Sequence, residues 1–202
     1  MTVSLDLVAL DLGNVLSLVD ESLGARELAR LIGRPEQEVF AAVFAPGRKV
    51  LMETGRQTFD DFAAGCGERL GVTIPAGRFR AIYESVLTPN LAIFQLVERL
   101  LARGRVGLCS NTSAAHWELE RRRLPFASRL DPVILSYEVG VMKPEAGIFH
   151  ALASKAGVSP HRVLFVDDRP ENVEGAKRAG LEAVQFTGVA HLEPDLNELG
   201  VL

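Results

Sequence analysis

The sequence predicts a doubly wound α/β fold, in which a parallel sheet is covered by helices on both faces. From residue 90 onward, short apolar runs without helical periodicity alternate with helical patterns. Such runs are typical of parallel strands buried on both faces. Strands that alternate with helices in this way are joined by right-handed crossovers. Residues 17–87 carry helical patterns only, and they predict a helical cap inserted after the first strand.

The predicted core has five strands and three well-marked helices. The strands span residues 5–12, 105–110, 132–136, 162–168 and 182–186. The helices span residues 90–103, 144–156 and 170–179. Pro144 and Pro170 open the second and third helices, and a glycine follows each of the three, which is the expected asymmetry of helix ends. We therefore assign residues 1–16 and 88–202 to the core and residues 17–87 to the cap.

Composition limits the classes of function. The chain has 202 residues, 48% of them hydrophobic, which suits a domain with a real core. The net charge of −4 argues against a nucleic-acid partner. The first residues lack a signal-peptide pattern, and no apolar run is long enough to span a bilayer. Cys66 and Cys109 fit no metal spacing. We expect a cytoplasmic monomer or homodimer without a membrane partner.

Polar residues follow four of the predicted strands. Asp11 ends the first strand, Ser110 and Asn111 end the second, Lys143 follows the third, and Asp167 with Asp168 ends the fourth. Open α/β sheets place their chemistry at the carboxyl ends of the strands, so these groups should converge. Each motif alone is equally compatible with a helix cap or a turn. Their joint order is what indicates a site.

The predicted cluster has the composition of a phosphoryl-transfer site. Clustered carboxylates repel one another unless a cation such as Mg²⁺ neutralises them. Lys143 adds positive charge that can hold a carboxylate or a phosphate oxygen, and Ser110 can bind phosphate. Asp11 is the candidate nucleophile.

Four motifs in this order resemble the haloacid dehalogenase (HAD) superfamily over nearly the whole chain. They read "LDLGNV", "GLCSNT", "VGVMKPE" and "FVDDRPENVEGA". Within the superfamily they are most similar to small sugar-phosphate phosphatases of the α-glucose-1-phosphate phosphatase type. They are more distantly similar to the N-terminal phosphatase domain of soluble epoxide hydrolases. The helical insert after the first strand is similar to the helical cap class of the family.

The resemblance implies roles for individual residues. Asp11 is the nucleophile, and Lys143 balances the charge of the transferring group together with the phosphate-binding residues Ser110 and Asn111. Mg²⁺ is held by a set of oxygen ligands. These are the carboxylates of Asp11, Asp167 and Asp168 and the backbone carbonyl of Gly13.

Gly13 departs from the usual pattern of the family. Most phosphatases and mutases of the superfamily carry a second Asp at this position, where it acts as general acid and base. A glycine keeps the carbonyl but removes the acid, whose help is typically worth about 10²–10⁴-fold in rate. This makes mutase activity improbable and leaves three possibilities open. They are a phosphatase with a good leaving group or a borrowed acid, a weakened or non-catalytic binding protein, and a 2-haloacid dehalogenase.

The adjacent pair Asp167 and Asp168 favours the phosphatase, because dehalogenases of the superfamily use no metal and need no acid pair. We expect a Mg²⁺-dependent phosphatase of a small phosphorylated metabolite, with sugar phosphates as the expected class, that works through an aspartyl-phosphate.

The cap should decide the substrate. The stretch 45–57 looks like a loop and carries Arg48, Lys49, Glu53 and Arg56, which could hold a sugar or a phosphate. Of these we assign Arg48 and Glu53 to substrate binding. Surface charges at helix ends explain these two residues equally well. His116 follows the second strand and is more often structural than functional in such a place.

Overall fold

The computed structural model describes residues 5–202, and a five-stranded parallel sheet lies at its centre. In chain order, its strands are β1 (Leu7–Leu10), β4 (Arg105–Ser110), β5 (Val133–Leu135), β6 (Val163–Asp167) and β7 (Glu182–Gln185). Their spatial order is β5-β4-β1-β6-β7. Two shorter strands, β2 (Ser17–Val19) and β3 (Leu87–Pro89), pair antiparallel outside this sheet. All five predicted core strands are present, and the predicted α/β fold class is confirmed.

Strand β1 occupies the middle of the sheet and pairs with β4 on one side and β6 on the other. All four of its residues are buried. A strand with helices on both faces has no solvent side, and this explains why its sequence is apolar without alternation.

Helices cover both faces of the sheet. The core helices are α6 (Phe94–Arg103), α7 (Ala114–Arg123), α8 (Ser136–Val139), α9 (Ala146–Ala156), α10 (Pro170–Arg178) and α11 (Val189–Glu198). One apolar cluster joins the sheet to α6, α7 and α11. A second cluster joins the other face to α9 and α10. This two-sided packing is the doubly wound arrangement that the alternating pattern predicted.

The predicted element bounds need several corrections. Helix α9 begins at Ala146 rather than at Pro144, because Glu145 N donates to Met142 O (2.9 Å) and closes a turn around Pro144. Helix α6 is preceded by a 3₁₀ turn at Leu91–Ile93. The bounds of α7 and α11 were not predicted, and neither were α8 and the strands β2 and β3. The last three have only three or four residues each and carry too little periodicity to be recognised.

Five helices lie between β2 and β3 and form the cap layer. They are α1 (Glu21–Ile32), α2 (Glu36–Val43), α3 (Val50–Glu53), α4 (Phe59–Leu70) and α5 (Ala76–Ser85). They enclose an apolar cluster of their own, with Phe62, Phe79 and Tyr83 in ring contact at its centre. The stretch 45–57, expected as a loop, contains α3. The domain boundaries at 16/17 and 87/88 stay a prediction; they fall at the β2–β3 ribbon.

The ribbon is tied to helix α7 of the core. Ser17 Oγ donates to the carboxylate of Glu120, and both residues are fully buried. Arg123 Nη1 donates to the backbone oxygen of Leu87 (3.0 Å), so each strand of the ribbon has one bond to the same helix. These bonds fix where the chain enters and leaves the cap.

Both cysteines, Cys66 and Cys109, are buried and free. Within residues 5–202, the helices are all too short or too polar to cross a bilayer.

Gly175 lets helix α10 approach the turn that carries Lys143. A Cβ atom at Gly175 would lie 2.6 Å from Pro144 O and 2.7 Å from Pro144 Cβ, which no real side chain tolerates. The absence of a side chain at Gly175 is therefore what permits this contact.

Gly175→Ala should lower the free energy of unfolding by about 1–3 kcal/mol, because the methyl group forces α10 away from Pro144. Gly77→Ala is the matched control, since Gly77 lies in α5 with open space around its Cβ position. The control should gain up to about 1 kcal/mol from helix propensity. Urea unfolding of both variants measures this, and an equal change in the two would contradict the close contact at Gly175.

Candidate active site

The polar residues predicted from the four motifs lie together at the carboxyl edge of the sheet. Asp11 follows β1, Ser110 ends β4, and Asp167 ends β6. These three strands are neighbours in the sheet. Lys143 reaches them from the turn before α9.

The buried amine of Lys143 joins two carboxylates. Its Nζ lies 2.7 Å from Asp11 Oδ1 and 2.6 Å from Asp167 Oδ2, and it donates to Cys109 O at 3.0 Å. Only 4% of Lys143 is exposed. Burial opposes the charged amine, but the neighbouring carboxylates of Asp11 and Asp167 outweigh it and raise the pKa of Lys143 above its usual range.

Asp11 is buried, and its carboxylate also accepts from Leu12 N at 2.6 Å. Burial raises the pKa of Asp11 to about 7; Lys143 opposes this shift and the charge of Asp167 adds to it. One amine therefore does not compensate fully for two buried carboxylates. A further cation would be favoured at this edge of the sheet.

Asn172 holds Asp167 in place, and the sequence reasoning missed it. Its Nδ2 donates to both oxygens of Asp167 (2.9 and 3.1 Å), and Arg169 N donates to Oδ1 (2.9 Å). Asn172 lies in the first turn of α10, which starts directly after the strand end that carries Asp167. Its position five residues after Asp167, inside the "DDRPEN" motif, is the signal that could have identified it.

Asn14 connects the turn after Asp11 to Asp168. It adopts the left-handed conformation (φ 54°), which asparagine tolerates in turns. In addition, its Nδ2 donates to Asp168 Oδ2 (3.0 Å), and its Oδ1 accepts from Val19 N (3.1 Å). The half-buried Asp168 has its pKa raised, chiefly by burial. This link between two motifs was not predicted.

The three acids form a donor set that fits a hard cation. Carboxylate oxygens of Asp11, Asp167 and Asp168 all lie within 4.8 Å of one another. Oxygen ligands of this kind are those that Mg²⁺ prefers. The metal contact assigned to the carbonyl of Gly13 stays a prediction.

Asn111 has a positioning role that the sequence reasoning did not assign. Its Oδ1 accepts from Lys143 N (2.8 Å), and its Nδ2 donates to Lys143 O (2.9 Å). The side-chain amide is thus used to hold the backbone of Lys143, and the phosphate contact predicted for Asn111 stays a prediction. Ser110 is buried at the end of β4 and lines the cavity described next.

A cavity of about 80 Å³ lies between the core and the cap. Its core wall includes Gly13 and Ser110, and its cap wall includes Lys49 and Glu53. Arg48, which we had assigned to substrate together with Glu53, is exposed, and its Nε donates to Ala41 O (3.0 Å). Arg48 is not one of the described residues that line this cavity. The next residue in the chain, Lys49, lines it instead.

The cap wall carries a cluster of three ionisable side chains, Glu21, Lys49 and Glu53. Lys49 Nζ forms an ion pair with Glu21 and lies 3.8 Å from Glu53 Oε1. Burial raises the pKa of Glu53; Lys49 opposes this shift and Glu21 adds to it. The same three ionisable side chains also line a second cavity, which has a volume of about 400 Å³. Phe40 and Met142 are among its other lining residues.

His116 lines the small cavity but is engaged in packing. Its Nε2 lies 2.8 Å from Tyr83 O, and its ring stacks on the Tyr83 ring with centroids 4.2 Å apart. Burial lowers the pKa of His116 to about 4, so the ring is neutral at neutral pH. This agrees with the structural role expected for it.

Lys143→Met should lower the free energy of unfolding by about 3–5 kcal/mol in EDTA, because it leaves two buried carboxylates without a partner. Lys177→Met is the control, since Lys177 is half-exposed on α10 and should change stability by no more than about 0.5 kcal/mol. Chemical denaturation of both variants provides the comparison. If the two lost the same stability, the amine would not be what holds the carboxylates together.

Known proteins share both the sequence pattern and the fold. The model of haloacid dehalogenase-like hydrolases matches residues 5–180. A phosphorylated carbohydrates phosphatase of Thermotoga maritima is 26% identical over 166 residues, which cover 80% of this chain and 68% of that protein. The D-ribitol-5-phosphate phosphatase of Bacteroides thetaiotaomicron is 26% identical over 141 residues, covering 66% of this chain and 68% of that protein.

A shorter match is to the glyceraldehyde 3-phosphate phosphatase of Methanopyrus kandleri. It is 35% identical over 78 residues, which are 38% of this chain and only a third (33%) of that protein.

Two solved structures show the same fold. A HAD family enzyme of Bacteroides thetaiotaomicron, solved with magnesium and inorganic phosphate, superposes with a TM-score of 0.83 at 24% identity, covering 94% of this chain and 99% of that one. The L-2-haloacid dehalogenase of Xanthobacter autotrophicus superposes with a TM-score of 0.68 at 18% identity, covering 98% of this chain and 84% of that one.

Proposed function

We propose that this chain, which belongs to the haloacid dehalogenase-like hydrolase family, is a Mg²⁺-dependent phosphatase of small phosphorylated metabolites. The observation that carries the proposal is the group formed by Asp11, Lys143 and Asp167, with Asp168 beside it, at the carboxyl edge of the sheet. A carboxylate that is paired with an amine next to a cavity can act as a nucleophile on phosphorus.

In the proposed reaction, Asp11 attacks the phosphorus atom and forms an aspartyl-phosphate, which water then hydrolyses. Lys143 touches Asp11 and Asp167 through one buried amine, so it fixes the nucleophile and offsets negative charge near the transferring group. Ser110, on the cavity wall, would bind a phosphate oxygen. Asn111 holds the backbone of Lys143 and so keeps the amine in position.

The acid cluster is the proposed metal site. Asp11, Asp167 and Asp168 would hold Mg²⁺ together with the carbonyl of Gly13. When bound, the ion would neutralise the carboxylates and polarise the phosphoryl group. Asn172 and Asn14 hold Asp167 and Asp168 through hydrogen bonds, which would orient these ligands before the ion arrives.

The names of the relatives support phosphorylated carbohydrates and polyols as the substrate class. The family also contains a 2-haloacid dehalogenase of the same fold. A carboxylate cluster suited to a metal favours the phosphatase, because displacement of halide by Asp11 would need no second and third acid.

A screen of phosphate esters in Mg²⁺ should reveal turnover that EDTA abolishes. Asp11→Asn should lower this turnover by at least about 10³-fold, because the amide cannot attack phosphorus. Asp60→Asn is the control, since Asp60 is an exposed acid on the cap, and it should leave the rate unchanged. The rate of inorganic phosphate release is measured for the wild-type chain, Asp11→Asn and Asp60→Asn.

Two results would contradict the phosphatase function and indicate a different one. Mg²⁺ binding without turnover of any ester would indicate a binding protein that kept the fold and the metal site. Halide release from 2-haloacids in EDTA would indicate a dehalogenase.

A further inference from the structure

Gly13 leaves the segment after the nucleophile without an acidic side chain that could protonate a leaving group. We infer that Glu53 of the cap donates the proton to the leaving oxygen of the phosphate ester. The inference rests on the proposed phosphatase function and adds a catalytic residue to it.

The geometry brings Glu53 to the place where the acid is missing. Gly13 and Ser110 form one wall of the 80 Å³ cavity, and Glu53 lies on the opposite wall. A cavity this small holds only a few atoms, so a leaving group that enters it touches both walls. Helix α3, which carries Glu53, follows a turn that begins at the end of α2, and Lys49 is the residue directly before this helix.

The other proton-bearing side chains on this cavity are already engaged. His116 is bound to Tyr83 O and is neutral at neutral pH, so it has no proton to give as an acid. Lys49 forms an ion pair with Glu21, so both of these side chains already have a partner. Glu53 is 3.8 Å from Lys49, a looser contact than the one that Glu21 makes.

The electrostatics around Glu53 favour a carboxyl that keeps its proton. Burial is the largest influence and raises its pKa. Glu21 also raises the pKa, whereas Lys49 and Arg169 lower it without cancelling the effect of burial. A general acid must hold its proton at the working pH, and a raised pKa is the direction of shift that this role requires.

The proposed steps balance. Asp11 forms a bond to phosphorus as the bond from phosphorus to the leaving oxygen breaks, and the proton of Glu53 moves to that oxygen to give the free alcohol. Glu53 is then a carboxylate. It takes a proton from the water that attacks the aspartyl-phosphate, so that phosphate leaves, Asp11 is restored, and Glu53 is protonated again.

Leaving-group dependence tests this role. With p-nitrophenyl phosphate the leaving phenolate needs no proton, whereas glycerol 3-phosphate, or another alkyl phosphate turned over in the screen, does. Glu53→Gln should lower kcat/KM about 10²–10⁴-fold for the alkyl ester and spare the aryl ester. Asp60→Asn, which removes an exposed acid of the cap outside this cavity, should leave the ratio between the two esters unchanged. The spared aryl ester also shows that the Glu53→Gln protein is folded.

A rescue variant and a pH profile separate proton donation from simple substrate binding. A Cβ atom at Gly13 would meet only Val19 Cγ2, at an ordinary 3.4 Å, so the position accepts a side chain. Gly13→Asp in the Glu53→Gln background should restore part of the lost rate on the alkyl ester. In the wild-type chain, kcat/KM for the alkyl ester should fall as the pH rises through the pKa of Glu53, and Glu53→Gln should lack this fall.

Equal losses on both esters would overturn the inference, because they would show that Glu53 only binds or orients substrate. Wild-type turnover of aryl but not of alkyl phosphates would overturn it too, while leaving the phosphatase intact. Absence of any turnover in the wild-type chain would overturn the phosphatase function and this inference together.

Discussion

The buried amine of Lys143 between Asp11 and Asp167 is the interaction on which the rest of the site depends. Two carboxylates this close to each other, both buried, would not stay ionised without a cation. Much of the surrounding structure serves to keep the amine there. Asn111 binds its backbone, and Gly175 gives α10 room to pack against the turn that carries it. Asn172 in turn fixes the carboxylate that the amine binds.

The chain divides its chemistry between two layers. The core supplies carboxylates, an amine and backbone groups that can bind a phosphoryl group. The cap supplies the ionisable cluster of Glu21, Lys49 and Glu53. The two layers meet at a small cavity, and the β2–β3 ribbon is bonded to α7 through Ser17 and Leu87. In the proposed reaction, core residues bind the phosphoryl group, and Glu53 of the cap protonates the leaving oxygen. The cap would thereby supply the acid that position 13 lacks.

Much of the core could be predicted from the sequence because its signals are local. The apolar run before Asp11 marks a buried strand, and Pro170 marks a helix start, since both depend on neighbours a few residues away. The turn at Lys143–Pro144 misled the prediction of α9, because proline opens turns as readily as helices. The roles of Asn14 and Asn111 could not be predicted in this way, because each of them binds a residue that belongs to another motif.

By itself, the sequence determined the order of the five core strands, the position of Asp11 and of the pair Asp167 and Asp168 at strand ends, and the absence of an acid at position 13. Strand ends are set by local pattern, and parallel strands must present them at one edge. Only the tertiary structure decided which cap residue faces that edge. Arg48 and Lys49 are adjacent in the chain, yet one is turned to Ala41 and solvent and the other to the cavity. Their direction depends on how α3 packs against α8 of the core, and no local pattern records this packing.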